Sequence, residues 1–175
     1  MAAIELLVGE GIRVNVTTLF PDMIGDPQTG AFRATQYEAA MAAYLRGLER
    51  YVATHRGRLS SYQLRQGLRR LRPVISIWLR TMDDLANPSL PESLRYRWAI
   101  AQAKLIAQRH RELIRTPRFH QLALDGAETP RLLWANTRVK KESGLPAGHY
   151  IEPLIGAGTI TTMLPETIAF YANQG

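Results

Sequence analysis

The sequence predicts an α/β fold of about four βα units whose strands run parallel. Three observations predict it. Four segments of strand length fall at residues 12–20, 74–79, 131–136 and 159–163. Helical patterns of roughly ten to twenty-five residues separate them. Connections of that length carry a chain back over a sheet, so that the next strand starts in the same direction. The 175 residues are read as one domain, 1–175, with no internal repeat or low-complexity segment. That is enough chain for a real core, but less than the about 250 residues that a complete eight-stranded β/α barrel typically takes.

Residues 2–8 read as a helix closing at Gly9 and Gly11. In IRVNVTTLF the period changes to two, with Ile12, Val14 and Val16 on one side and Arg13, Asn15 and Thr17 on the other, the pattern of a strand. PDMIGDPQTG is turn chemistry. Thr35 with Glu38 fits a capping box, and Tyr37, Met41, Tyr44, Leu48, Tyr51 and Val52 recur at helical spacing to about residue 55. From Arg56 to Arg72 the chain has six arginines and no acid. Gly57, Ser60, Ser61, Gly67 and Pro73 interrupt it, so it reads as a basic connector with room for a short helix.

VISIWL is a continuous apolar run, as in a strand buried on both faces, and MDDLANPS after it reads as a polar loop. Ser89 and Glu92, with Pro91 in the first turn, predict a long helix to about Leu113. Its inward stripe would be Leu94, Trp98, Ala101, Leu105 and Ile106. RLLWAN is the third strand, following a loop at 126–130. A charged, Gly/Pro-rich loop over 138–148 leads to YIEPLIG, to the fourth strand TITTM, and to a last helix opened by Pro165 and Glu166.

Composition narrows the function classes. There is no cysteine, which excludes disulfides and cysteine-containing zinc sites. No apolar run reaches the roughly 18 residues that cross a bilayer, and MAAIELLVGEG has no basic region ahead of an apolar stretch, so the expectation is a soluble, cytoplasmic protein. Lys+Arg exceed Asp+Glu by 22 to 15, a net +7. Lys104, Lys140 and Lys141 are the only lysines, and the arginine bias favours an anionic partner, phosphorylated small molecule or nucleic acid.

The short motifs exclude more than they assign. Gly156 and Gly158 form a G-x-G, but Thr161 stands at the third glycine position, so a dinucleotide fingerprint fails. No P-loop is present, and His55, His110, His120 and His149 lack metal spacing, which leaves them as surface or helix-flank histidines. The segment 56–72 has only Tyr62 as an interleaved aromatic; it is a solvated face, a phosphate or partner contact, or least of all a nucleic-acid surface. In the first strand, Asn15 and Thr17 occupy the register that in a β/α barrel points inward near the active-site end. A wet edge strand gives the same alternation, and periodicity leaves the two open.

Four segments carry a family resemblance: GIRVNVTTLF (11–20), AIAQAKLIAQRH (99–110), RLLWANTRVK (131–140) and YIEPLIGAGTITTMLPETI (150–168). In this order and at these intervals they resemble the transaldolases. The resemblance implies a partial (β/α)8 TIM barrel of transaldolase type, the C-terminal half from about the fifth strand to the eighth. It also implies transfer of a dihydroxyacetone unit between sugar phosphates in the pentose phosphate pathway, through a Schiff base on lysine and without cofactor or metal. Asn15 and Thr17 fall on the family's N-x-T, whose side chains line the reaction centre, and Ser76 falls on a serine that holds donor hydroxyls. Read alone, Ser76 is a buried strand serine.

The chain also departs from the family pattern. Thr81 stands where the family has a phosphate-binding arginine, with Arg80 one position early, and a one-residue shift on a strand reverses the face. Asn136 replaces a serine, while Arg138, two residues on, matches an arginine found in part of the family; Asn136 and Arg138 are candidate phosphate contacts, and a surface arginine is the alternative. The family's Schiff-base lysine and its proton-shuttling Asp and Glu fall upstream of residue 1, and Lys104, Lys140 and Lys141 match none of them. The expectation is a chain inactive alone that self-associates or binds a partner supplying the first half of the barrel. A non-catalytic sugar-phosphate-binding or assembly module is the alternative.

Overall fold

The computed structural model describes residues 1–19 and 35–173, with the side chains of residues 18, 19 and 35 outside the description. The predicted turn at 21–30 and the Thr35 half of the capping box lie outside the described residues. The chain runs α1 (Ala2–Gly9), β1 (Asn15–Leu19), α2 (Thr35–His55), α3 (Ser61–Arg70), β2 (Val74–Trp78), α4 (Leu79–Ala86), α5 (Trp98–Leu113), α6 (Pro117–Asp125), β3 (Arg131–Ala135), β4 (Thr159–Thr161) and α7 (Pro165–Ala172). The strands form one sheet in the order β1-β2-β3-β4, every neighbouring pair parallel. The predicted α/β class with four parallel strands is the architecture found.

Alternation sets the two faces. Val14, Val16, Ile75, Ile77, Leu132 and Trp134 are buried in the main core, together with Tyr37, Met41, Tyr44 and Leu48 of α2. Asn15 and Thr17 are exposed, as the period-two reading requires, although Ile12 lies before the strand and is 49% exposed rather than in the buried row. The second face also carries Ser76 and Trp78 of β2, in register with Leu133 and Ala135 of β3. Here the expectation that VISIWL is a strand covered on both sides is corrected in part: Ile75, Ser76 and Ile77 are buried, but Trp78 is 36% exposed, and Leu79 already begins α4.

MDDLANPS is the clearest correction, because most of it is helix. Leu79, Met82, Asp83 and Ala86 make a buried stripe at helical spacing. Asp83 belongs to that stripe because both carboxylate oxygens are satisfied internally, one by the Ala99 N–H at 2.9 Å and the other by the Tyr150 hydroxyl at 2.8 Å. The long helix predicted from Ser89 starts only at Trp98; two 3-10 turns, Asn87–Ser89 and Glu92–Leu94, precede it. Asn87 Oδ1 accepts from the Tyr96 N–H at 2.9 Å, and Tyr96 takes φ +60°, a conformation that does not propagate a helix.

The phase of α5 differs as well. Its buried residues are Ala99, Ala103, Ile106 and His110, whereas Leu94 and Leu105 are 50% and 38% exposed and Ala101 is exposed. Small alanines bring the helix close to its neighbours, with the Asp83 contact at Ala99 fixing its first turn. Residues 114–125, to which the pattern assigns no element, hold α6, capped by Thr116 and ended by Gly126 at φ +116°.

The arginine-rich connector contains α3, opened by a full Ser60–Gln63 capping box. Arg56 binds both carboxylate oxygens of Asp125, and Arg69 and Arg72 reach Glu128. These contacts fasten the ends of α2 and α3 to α6 and the loop after it.

Candidate functional site

In parallel β/α folds the loops that follow the strands carry the chemistry. At this end, the residues after β2, β3 and β4 enclose a cleft of about 320 Å³ whose lining includes Arg80, Asn136, Thr137, Arg138, Thr162 and Leu164. The backbone is tightly cross-linked there. Arg80 N–H donates to the Asn136 carbonyl at 3.2 Å, and the Thr137 hydroxyl to the Thr162 carbonyl at 2.5 Å. Asn136 ends the predicted strand in the left-handed region at φ +53°, which asparagine tolerates better than most residues. Its side-chain amide donates to Thr81 Oγ1 at 2.6 Å.

The one-residue offset of Arg80 does not turn it away from the cleft. Strand parity stops at Trp78, and Arg80 sits in the first turn of α4, where side chains are set by a helical period. Its Nε lies 3.6 Å from Asp84 Oδ2, and that buried Nε has no hydrogen-bond partner. Asp84 also holds Lys140 Nζ at 3.0 Å. Arg138 is exposed and has no ion pair among the described residues. The sequence singles out Lys140 only as one of three lysines and Asp84 not at all, though the Arg80–Asp84 spacing of four on a helix is the available signal.

Asn15, Thr17 and Ser76 lie apart from this cleft, on the face of the sheet that no helix among the described residues covers. Ser76 is buried, and its hydroxyl donates to Asn15 Oδ1 at 3.4 Å. The candidate residues therefore form two groups: Asn15, Thr17 and Ser76 on the strands, and Arg80, Asn136 and Arg138 at the strand ends. A larger cavity, about 780 Å³, lies on the helix side between α5 and the approach to β4 and includes Lys104. It reaches Trp134 and Thr159 but none of the residues that directly follow a strand, and we take the smaller cleft as the candidate site on that ground.

Lys104 is exposed on α5, Lys140 is engaged by Asp84, and Lys141 starts a 3-10 turn. Among the described residues no group of three or more His, Asp or Glu is arranged to hold a metal ion. Nor is any helix there long and apolar enough to cross a membrane. His110 departs from the surface reading: it is buried, with Tyr37 Oη 2.5 Å from its Nδ1.

The family model for transaldolase and fructose-6-phosphate aldolase matches residues 1–175. A transaldolase from Thiobacillus denitrificans is 37% identical over 183 aligned residues, covering 99% of this chain and 44% of that protein. Transaldolases from a Parafrankia species and from Neisseria meningitidis serogroup C are each 32% identical, covering 100% and 99% of this chain and 43% of their own lengths. The chain thus spans less than half the length of these curated relatives. With the model matched from end to end and the parallel β/α order in place, the chain belongs to the transaldolase/fructose-6-phosphate aldolase family.

Proposed function

We propose that the chain forms the donor-holding and phosphate-holding part of a transaldolase site, which moves a dihydroxyacetone unit from a ketose phosphate to an aldose phosphate. The nucleophilic lysine comes from polypeptide outside these 175 residues. The observation that carries the reading is the cleft at the strand ends, lined by both Arg80 and Arg138, in which the buried Nε–H of the Arg80 side chain lacks an acceptor. Phosphate oxygens are strong acceptors for guanidinium donors.

The chemistry assigns each group a task. A lysine amine adds to the donor ketone and loses water to give the imine; the bond between the carbons α and β to the imine then breaks, the β-hydroxyl giving up its proton to a base so that this part leaves as an aldose phosphate, while the bond's electron pair is drawn toward the imine nitrogen. The resulting enamine attacks the acceptor aldehyde, and water releases the product. In this scheme Asn15 and Thr17 line the reacting carbons, Ser76 holds a donor hydroxyl, and Arg80, Asn136 and Arg138 hold the phosphate. The reading carries with it the pentose phosphate pathway, a cytoplasmic location and a complex that completes the barrel.

A second reading is a sugar-phosphate-binding module without turnover. It is favoured by the lysine positions, since none of Lys104, Lys140 and Lys141 lies on a strand. The test is to combine the chain with a polypeptide carrying the first four βα units and treat the complex with a ketose phosphate and borohydride. A trapped adduct and turnover support the transfer reading. A complex that binds substrate but traps nothing overturns it in favour of the module, and absence of any sugar-phosphate binding removes both.

A further inference from the structure

Two arginines stand at the N-terminal end of the sheet face that no helix among the described residues covers. Arg131 opens β3 in register with Val74, and alternation puts it on the same face as Leu133. Arg13 lines a cavity of about 280 Å³ with Asn15, Val74 and Leu133. Neither arginine has an ion pair among the described residues, and the Nε of Arg131 is buried without a hydrogen-bond partner. The similarly half-buried Arg72 is satisfied, its Nε donating to the Thr129 carbonyl at 2.8 Å with Glu128 beside it. A guanidinium N–H withdrawn from water requires an acceptor, and the Arg131 Nε–H finds none; the other residues that β1–β4 present on this face are uncharged and offer no carboxylate to either arginine.

We propose that the open face of the sheet docks a polypeptide presenting at least one carboxylate to Arg131 and Arg13, at the N-terminal end of its own strands. The occupant is thus an acidic-lined partner and not a second copy. Two copies closing into one parallel barrel would have all strands pointing the same way, so both pairs of arginines would meet at one end. Four guanidiniums would then share a water-poor layer with no carboxylate from the described part of the face, an arrangement that repulsion and desolvation oppose. The proposal rests on reading the chain as part of a larger barrel site, but it does not need the transfer chemistry.

The experiment co-expresses the chain with the portion of the Thiobacillus denitrificans transaldolase that it does not match, and measures dissociation of the purified complex. Arg131→Met should weaken the complex at least tenfold and Arg131→Glu more, with Arg131→Lys recovering part of the loss. Arg13→Glu, on an exposed side chain, keeps the test independent of any folding defect at Arg131 and should also weaken binding several-fold. Added salt should weaken the wild-type complex more than Arg131→Met. The proposal is overturned if no complex forms, if these variants bind within twofold of wild type, or if the chain alone sediments as a dimer as tight as the complex. An arginine-dependent complex that traps no adduct sinks the transfer reading and leaves this one standing.

Discussion

Protonation of His110 should make the fold acid-sensitive in a defined window. The residue lies in the last turn of α5 and is 7% exposed. Burial pushes its pKa from 6.5 down to about 4; a hydrogen bond to the Pro130 carbonyl opposes the shift, and the Arg111 charge adds to it. With one ring nitrogen donating to Pro130, the other, Nδ1, accepts from Tyr37 Oη at 2.5 Å. The unfolded chain takes up this proton near pH 6.5 and the folded chain only near pH 4. Between those values the unfolded state holds more protons, so stability falls as pH falls. A gap of about 2.5 pH units at about 1.4 kcal/mol each amounts to about 3.5 kcal/mol once both states are protonated, a large share of the roughly 5–15 kcal/mol by which domains are stable.

Urea unfolding of wild type and His110→Gln at several values between pH 7.5 and 4 isolates this contribution, because the other titrating groups are common to both. Wild type should lose about 3 kcal/mol more than the variant across the window, nearly all of it below pH 6.5. Parallel stability profiles for the two proteins would refute the reasoning.

Three other perturbations have directions set by the structure. Arg138→Met removes an unpaired cleft cation, so calorimetry should show sugar-phosphate affinity of the completed complex falling by roughly 10- to 100-fold, the equivalent of about 1.5–3 kcal/mol, with an unchanged melting temperature. Asp83→Ala strips the acceptor from the Ala99 N–H and the Tyr150 hydroxyl and should cost about 2–4 kcal/mol in chemical denaturation. Gly47→Val drives a Cβ to 2.6 Å from that of Val8 and 2.9 Å from the Glu5 carbonyl; hydrogen exchange should show α1 losing protection, with a stability loss of about 1–3 kcal/mol.

How legible an element was depended on whether one rule governed it. β1 alternates because one face meets helices and the other is open, so the places of Val14, Val16, Asn15 and Thr17 followed from period two alone. α4 was hidden because Asp83 looks like a loop residue until its acceptors are seen to be filled from 16 and 67 residues away. The face of α5 was misassigned because leucines outweigh alanines in a pattern, whereas close helix contact selects Ala99 and Ala103. At the site, only the resemblance named Asn15 and Ser76 together, because Asn15 stands in register with Val74 and reaches Ser76 through its side chain, and Arg80 could not be placed by strand parity, because the strand ends two residues earlier. Asp84 escaped notice because its tie to Lys140 spans a loop, although its helical spacing from Arg80 was readable.

The strand order β1-β2-β3-β4 has a further consequence, for how the sheet is made. Each strand pairs only with its immediate predecessor and successor in sequence, so no gap must be held open for a later strand to enter. During synthesis the sheet can grow at a single edge, one βα unit at a time, in the direction in which the ribosome delivers it.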